Sequence, residues 1–303
     1  MSPPSTPTLE RATRSPLQLA VLRACRADVE AFKPGNVAVG MPAHRMTADD
    51  FQRSATVVVG PLTDAHSGLG ARIEAAVAAT VAAVGCNTNL GIVLLLAPLV
   101  AAAMRAQAND EAPQAWRWHL PAVLSGTTAA DGLATARAIL RAHPAGLGAA
   151  PEADVSAAAG AGSGFRHTLF EAMALAASRD LIAQQYTSGF ATVGRMADRL
   201  SGLMQGGASR NDAVTASFLH QLVEQADSHI RRKHGDAMAS AVSAQVSGIM
   251  AGLPDPPHWS PAMVRSLTEL HDRLLLRGIN PGTTADLTVA AVFVTELDAM
   301  QKF

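Results

Sequence analysis

The sequence has little aromatic surface, almost no net charge and few cysteines. Its 303 residues include one Tyr, three Trp and eight Phe, so it lacks the stacking platforms on which single-stranded nucleic acid is held. Lys and Arg total 24, Asp and Glu 25, for a formal charge of −1, which excludes nucleic-acid binding by bulk electrostatics. The two cysteines, Cys25 and Cys86, lie far apart in apolar surroundings. They read as reduced core thiols, and neither a disulfide framework nor a zinc site is expected. Residues 1–15 are polar and rich in Pro and Ser, with no apolar segment of signal-peptide length. This stretch is expected to be a disordered leader on a cytoplasmic protein.

What is abundant is Ala and Leu, while β-branched, strand-like runs are scarce. The expected class is therefore all-α: one large domain of about ten helices over residues 16–303. Helical periodicity runs through 17–32, 49–59, 71–84, 90–107 and 129–142, and again through 168–186, 212–230, 237–251, 261–276 and 283–300. Thr47 followed by Asp50 resembles a capping box. A Gly/Ala/Pro-rich loop, expected to be mobile, occupies 143–166, and residues 252–261 carry four prolines in a rigid connector. The apolar run 92–99 is too short to span a bilayer, which needs about 20 residues, so a central core helix is expected there and no membrane association.

Polar residues gather where the helical pattern stops. FKPGNV (32–37) leads on to AHRM (43–46); NTNLG (87–91) stands before the apolar run; DSHIRRKHG (227–235) and NPGTTADL (280–287) complete the set. Each segment has two readings. Asn87, Thr88 and Asn89 suit helix caps, and equally a helix start that receives phosphate on free N–H groups. Pro34-Gly35 is a turn; Lys33 beside it would hold phosphate as a point charge. The basic run after Asp227 suits a helix C-terminus, or a phosphate cluster with an acid able to hold Mg2+. Asp286 in the first turn of the last helix is favourable from the dipole alone, and is also where a metal-bound phosphate wants a ligand.

The order KPGNV, HR with Phe51-x-x-Ser54-Ala55, NTNLG, DSHIRRKHG, NPGTTADL resembles the triphosphoribosyl-dephospho-CoA synthase family. The blocks VLSGTTAADGLATARAILRAHPAGLG and TLFEAMALAASRDLIAQQYTSGF look like its branch in methanogens and methylotrophs. The resemblance runs from Cys25 to Phe293 and implies an all-helical transferase. Such an enzyme expels adenine from ATP and joins the triphosphoribosyl group to the 2′-hydroxyl of dephospho-CoA. It further implies phosphate binding by Lys33, Gly35, Asn36, Arg45, Asn87, Thr88, Asn89, Gly91, Arg232, Lys233, Gly282, Thr283 and Thr284. Asp227 and Asp286 are candidate Mg2+ ligands or bases, with His44 and His234 as alternatives for proton transfer.

Two motifs depart from the pattern. Where CoA-directed enzymes read NTHKG this chain has Asn89-Leu90 in place of His-Lys, and where they read HRDMD it has His44-Arg45-Met46-Thr47. These losses leave open a different donor, phosphoribosyl pyrophosphate, acting in tetrahydromethanopterin biosynthesis and one-carbon metabolism. They also leave open a non-catalytic helical protein that binds a nucleotide or a pterin. Partners are expected to be small molecules, and assembly into a homo-oligomer stays open.

Overall fold

The computed structural model describes residues 14–143, 165–252, 257 and 259–303. The leader and the loop expected at 143–166 thus lie almost wholly outside the described residues. Among those described there is no strand, only the isolated bridges Ala38–Met41 and Ala43–Met46.

Among the described residues fifteen α-helices form, more than the ten or so expected. They are α1 (Pro16–Glu30), α2 (Ala48–Val57), α3 (Val59–Leu62), α4 (Leu69–Val84), α5 (Leu90–Ala108), α6 (Trp116–Ser125), α7 (Ala129–Ala142) and α8 (Leu169–Ala176). The second half contains α9 (Leu181–Ser188), α10 (Ala191–Gln205), α11 (Arg210–Glu224), α12 (Ser228–His234), α13 (Asp236–Met250), α14 (Pro261–Leu276) and α15 (Gly282–Ala299). Periodicity missed α3, α6 and α10, and it joined two pairs that polar residues separate. Asp180 caps α9 by accepting from the Ile182 and Ala183 N–H groups, and Asp227 caps α12 through Ile230. A side-chain cap competes with continued helix at such points. The Thr47–Asp50 capping box is present at the start of α2.

Two helices lie at the centre. α5 is buried from Gly91 to Val100, and α15 from Leu287 to Val294, against α1, α9, α10 and α11. α5 is 19 residues long and apolar enough to cross a membrane by composition, but most of it is enclosed by neighbouring helices. The two run in the same direction. Gly91 near the start of α5 touches Asp286 near the start of α15, while Gln114, just past the end of α5, donates to the carbonyls of Asp298 and Met300 at the other end. Parallel helices bring their positive ends to one side.

Pro98 interrupts α5, since it has no N–H to offer the Leu94 carbonyl. The chain's single tyrosine repairs the gap. Tyr186 is buried, and its hydroxyl donates to Leu94 O at 2.7 Å. Tyr186→Phe leaves that buried carbonyl without a donor, and chemical denaturation is expected to show a loss of about 1–3 kcal/mol. An unchanged midpoint would show that water reaches the carbonyl instead.

Candidate active site

A buried pair, Asp227 and Ser228, stitches three helix starts together. The Asp227 carboxylate accepts the Ile230 N–H at 2.9 Å on one oxygen, and the Thr284 N–H and hydroxyl, both at 2.7 Å, on the other. The His229 N–H also points at it. Four donors fill the lone-pair directions of one carboxylate. Ser228 accepts the Leu181 N–H at 3.2 Å and donates to the Thr283 hydroxyl at 3.1 Å. Residues 227 and 228 therefore hold the first turns of α9, α12 and α15 side by side.

The start of α5 joins them. A Cβ at Gly91 would fall 2.0 Å from an Asp286 carboxylate oxygen, so only glycine lets that acid lie over the α5 entrance. The KPGN loop closes another side. Gly35 has φ +83°, and a Cβ there would sit 2.8 Å from the Pro281 ring. Its N–H donates to His271 Nδ1 at 3.1 Å and its carbonyl meets His44 Nε2 at 2.8 Å. The polar segments 33–36, 87–91, 227–229 and 280–286 are thus brought to one place, together with Asp180.

Within this place four polar atoms have no partner among the described residues: Asn36 Nδ2, Asn89 Nδ2, His229 Nε2 and Asn280 Oδ1. A buried, unpaired polar atom costs on the order of 1–3 kcal/mol, and several such atoms near the same helix starts suggest a place for a polar ligand. Asn89 stands at the N-cap of α5 yet makes no cap bond. Its side-chain amide oxygen Oδ1 accepts from the Thr80 hydroxyl at 3.0 Å, while Asn87 caps the helix through the Leu90 N–H at 3.1 Å. The stretch therefore both caps the helix and leaves an amide for a ligand.

Several expected roles change. Asp227 was expected as base or Mg2+ ligand; it is fully buried and its oxygens are engaged by four donors, the arrangement of a structural joint. Thr283 and Thr284, expected to bind phosphate, give their hydroxyls to this joint and are buried. Lys33 is fully buried too, ion-paired with Asp28 at 3.2 Å and donating to the Asp28 carbonyl, so its ammonium is withdrawn from solvent. Thr88 is buried against the Ser54 hydroxyl at 2.6 Å. Lys233 and His234 both reach the Gly278 carbonyl at 3.2 Å, on the rim. His44 and Arg45 are the central residues of a turn closed by Ala43 and Met46. Both have positive φ (52° and 65°), a strained geometry for side chains other than glycine, and Arg45 is exposed at the tip.

Asp286 is the acid with chemistry to offer. Burial first, then the charges of Asp28, Asp227 and Asp180, push its pKa well above the carboxylate range, with Arg232 opposing. Arg232 also pairs with Asp180 at 3.2 Å. Among the described residues no three His, Cys, Asp or Glu side chains could enclose a metal ion. The donors present fit a Mg2+ carried on phosphates and touched by one carboxylate, the usual mode for this ion. Sequence reasoning missed His229. Burial, then Arg232 and Lys233, bring its pKa down to about 4, so it is a neutral imidazole. Its place beside the N-cap Asp227 was the readable signal, since a first-turn residue faces the neighbouring helix start. Asp28 and Asp180 were also missed.

A family model described as CitG, ATP:dephospho-CoA triphosphoribosyl transferase, matches residues 14–303. A crystal structure described as a triphosphoribosyl-dephospho-CoA synthase from Archaeoglobus fulgidus shares the fold, with TM-score 0.61 and 22% identity over 82% of this chain and 98% of that one. A search among curated proteins gives no significant match.

Two substitutions separate joint from ligand. Asp227→Asn turns an NH2 toward two of the four donors and should lower stability by about 2–4 kcal/mol in denaturant unfolding. Asp286→Asn should do the reverse. With its folded pKa raised, Asp286 holds a proton that the unfolded chain releases above about pH 4, so the wild type loses stability as pH rises through that window. The melting temperature of Asp286→Asn relative to wild type should therefore climb as the pH rises above about 4. Equal behaviour of the two variants would refute the division of roles.

Proposed function

The chain belongs to the ATP:dephospho-CoA triphosphoribosyl transferase family, and from that premise we propose that the meeting point of the α5, α9, α12 and α15 starts is its active site. The enzyme is a transferase, and its reaction is triphosphoribosyl transfer from ATP to the dephospho-CoA hydroxyl. The C1′–N9 bond of ATP breaks, the acceptor oxygen bonds to C1′, and adenine leaves with a proton gained on its ring, balancing the proton that the acceptor hydroxyl gives up. The observation that carries the site is the set of four unpartnered polar atoms beside converging helix starts.

In this reading the triphosphate lies across the first turns of α5 and α15, where N–H groups and helix dipoles favour negative charge. Asn36 and Asn89 donate their free amide N–H groups to it, and Arg232 adds charge from the side. Mg2+ bound to the phosphates would neutralise charge there, with Asp286 as its one protein carboxylate. Such a cation would favour the ionised form of Asp286. His229, kept neutral by its surroundings, accepts the hydroxyl proton through Nε2, and Asn280 Oδ1 orients that hydroxyl or the ribose. A reaction that draws on ATP agrees with a cytoplasmic location.

A second reading concerns the branch. Asn89 and Leu90 leave the α5 entrance uncharged, which supports membership in the methanogen and methylotroph branch, with phosphoribosyl pyrophosphate as donor and a pterin-pathway acceptor. Incubation with ATP and dephospho-CoA should release adenine and add a triphosphoribosyl group to the acceptor by mass. Pyrophosphate release from phosphoribosyl pyrophosphate, without adenine release from ATP, would favour the second reading, and tight binding without either product would exclude catalysis.

His229→Asn should lower kcat roughly 10²–10⁴-fold with the fold retained. In wild type the acidic limb of kcat should fall near pH 4, where the imidazole protonates, rather than near its usual value. An unchanged kcat in the variant removes His229 from the mechanism.

A further inference from the structure

Asn36 offers the cleft an amide, Nδ2, that has no partner among the described residues. The aim of that amide is set by the backbone that carries it. The peptide plane joining Gly35 to Asn36 is tied at both ends. Its N–H donates to the Lys33 carbonyl at 3.0 Å, and its carbonyl accepts from His44 Nε2 at 2.8 Å. The N–H of the preceding plane, that of Gly35, donates to His271 Nδ1 at 3.1 Å. Two histidines from distant parts of the chain thus grip successive peptide planes.

His271 on α14 is buried, with its ring centroid 5.4 Å from that of Phe32. Its Nδ1 accepts only without a proton, so the ring is neutral and carries its hydrogen on Nε2. Burial favours that form, Asp272 opposes it and the charge of His44 supports it. His44 was expected in proton transfer, but its Nε2 is engaged by the Gly35 carbonyl. It also stands at φ +52°, where a side chain is strained and glycine is not. A ring kept at that backbone position and bonded across to Gly35 points to a use beyond closing the turn. Gly35 in its turn lies on the chain before α15: a Cβ there would fall 3.3 Å from the Ile279 carbonyl and 2.8 Å from the Pro281 ring. Asn280, between those two residues, carries another unpartnered atom, Oδ1. The grip on Gly35 therefore sets Asn36 and Asn280 relative to one another.

We propose that His44 and His271 are positioning residues for the phosphorylated donor, acting through Gly35 to hold the Asn36 amide where a phosphate oxygen is received. The proposal rests on the reading of Asn36 as a phosphate-binding residue, and it assigns neither histidine to proton transfer. An amide already held in place loses little freedom when the ligand arrives. The clamp therefore contributes to donor affinity and leaves the chemical step to other groups.

Titration calorimetry of the full chain with ATP and Mg2+, in the absence of acceptor, reads donor affinity directly. His44→Gly removes the ring at a backbone geometry that glycine prefers. Its melting temperature should stay near that of wild type while affinity falls roughly tenfold, the scale of one hydrogen bond. His44→Gln, whose amide can replace Nε2 as donor, should recover most of that loss. In turnover His44→Gly should raise the KM for ATP and leave kcat nearly unchanged. In an Asn36→Ala background it should have no further effect, because the clamp acts through that amide. His271→Leu should match His44→Gly in affinity; if it does not fold, the His44 variants decide alone. Wild-type affinity in His44→Gly, an equal loss with and without Asn36, or unfolding of His44→Gly overturns the proposal. A wild type that binds ATP but releases no adenine with acceptor present refutes the reaction instead, and the affinities still report the clamp. Phosphoribosyl pyrophosphate is titrated in the same way, and a wild type that binds neither donor overturns reading and clamp alike.

Discussion

Everything in the site depends on one buried carboxylate. Asp227 receives four donors from the first turns of α12 and α15, and beside it Ser228 links α9 to the same point. Helix starts carry partial positive charge and repel one another at short range. A buried anion between them offsets that repulsion and fixes their relative position. The fixed geometry then leaves the N–H groups of α5 and α15 and a handful of amide and imidazole atoms facing a common volume.

This division explains why the acids of the site behave so differently. Asp227 is saturated and holds structure. Asp28 is neutralised by Lys33, and Asp180 caps α9 while meeting Arg232. Asp286 has no such full compensation, and glycine at position 91 lets it lie against the α5 entrance. Burial and neighbouring acids favour the protonated form of such an acid. In the proposed site, positioning and charge stabilisation thereby fall to different residues.

The class and most helix positions were legible in the sequence, because 3.6-residue periodicity survives wherever a helix has one buried face, as in 129–142 and 261–276. It failed where a polar residue ends one helix and starts the next, as at Asp180 and Asp227, since a buried cap looks like any polar residue in a periodic run. The segments that build the site were also legible, as clusters of Gly, Pro, Asn and charge at helix ends. Individual roles were not. Lys33 and Asp227 carry the right chemistry for phosphate and metal, but their burial and pairing, both products of tertiary packing, could not be read from the sequence. His229 and Asn280 became visible only as atoms left without partners.

The location of the donor is the claim on which the rest stands. A crystal structure of the chain soaked with ATP and Mg2+ in the absence of acceptor tests it directly. The account predicts phosphate oxygens within about 3.2 Å of Asn36 or Asn89 Nδ2 and of the first N–H groups of α5 or α15, with Asp286 directed at the cation. A nucleotide bound elsewhere, with Asn36, Asn89, His229 and Asn280 still unpaired, would contradict it.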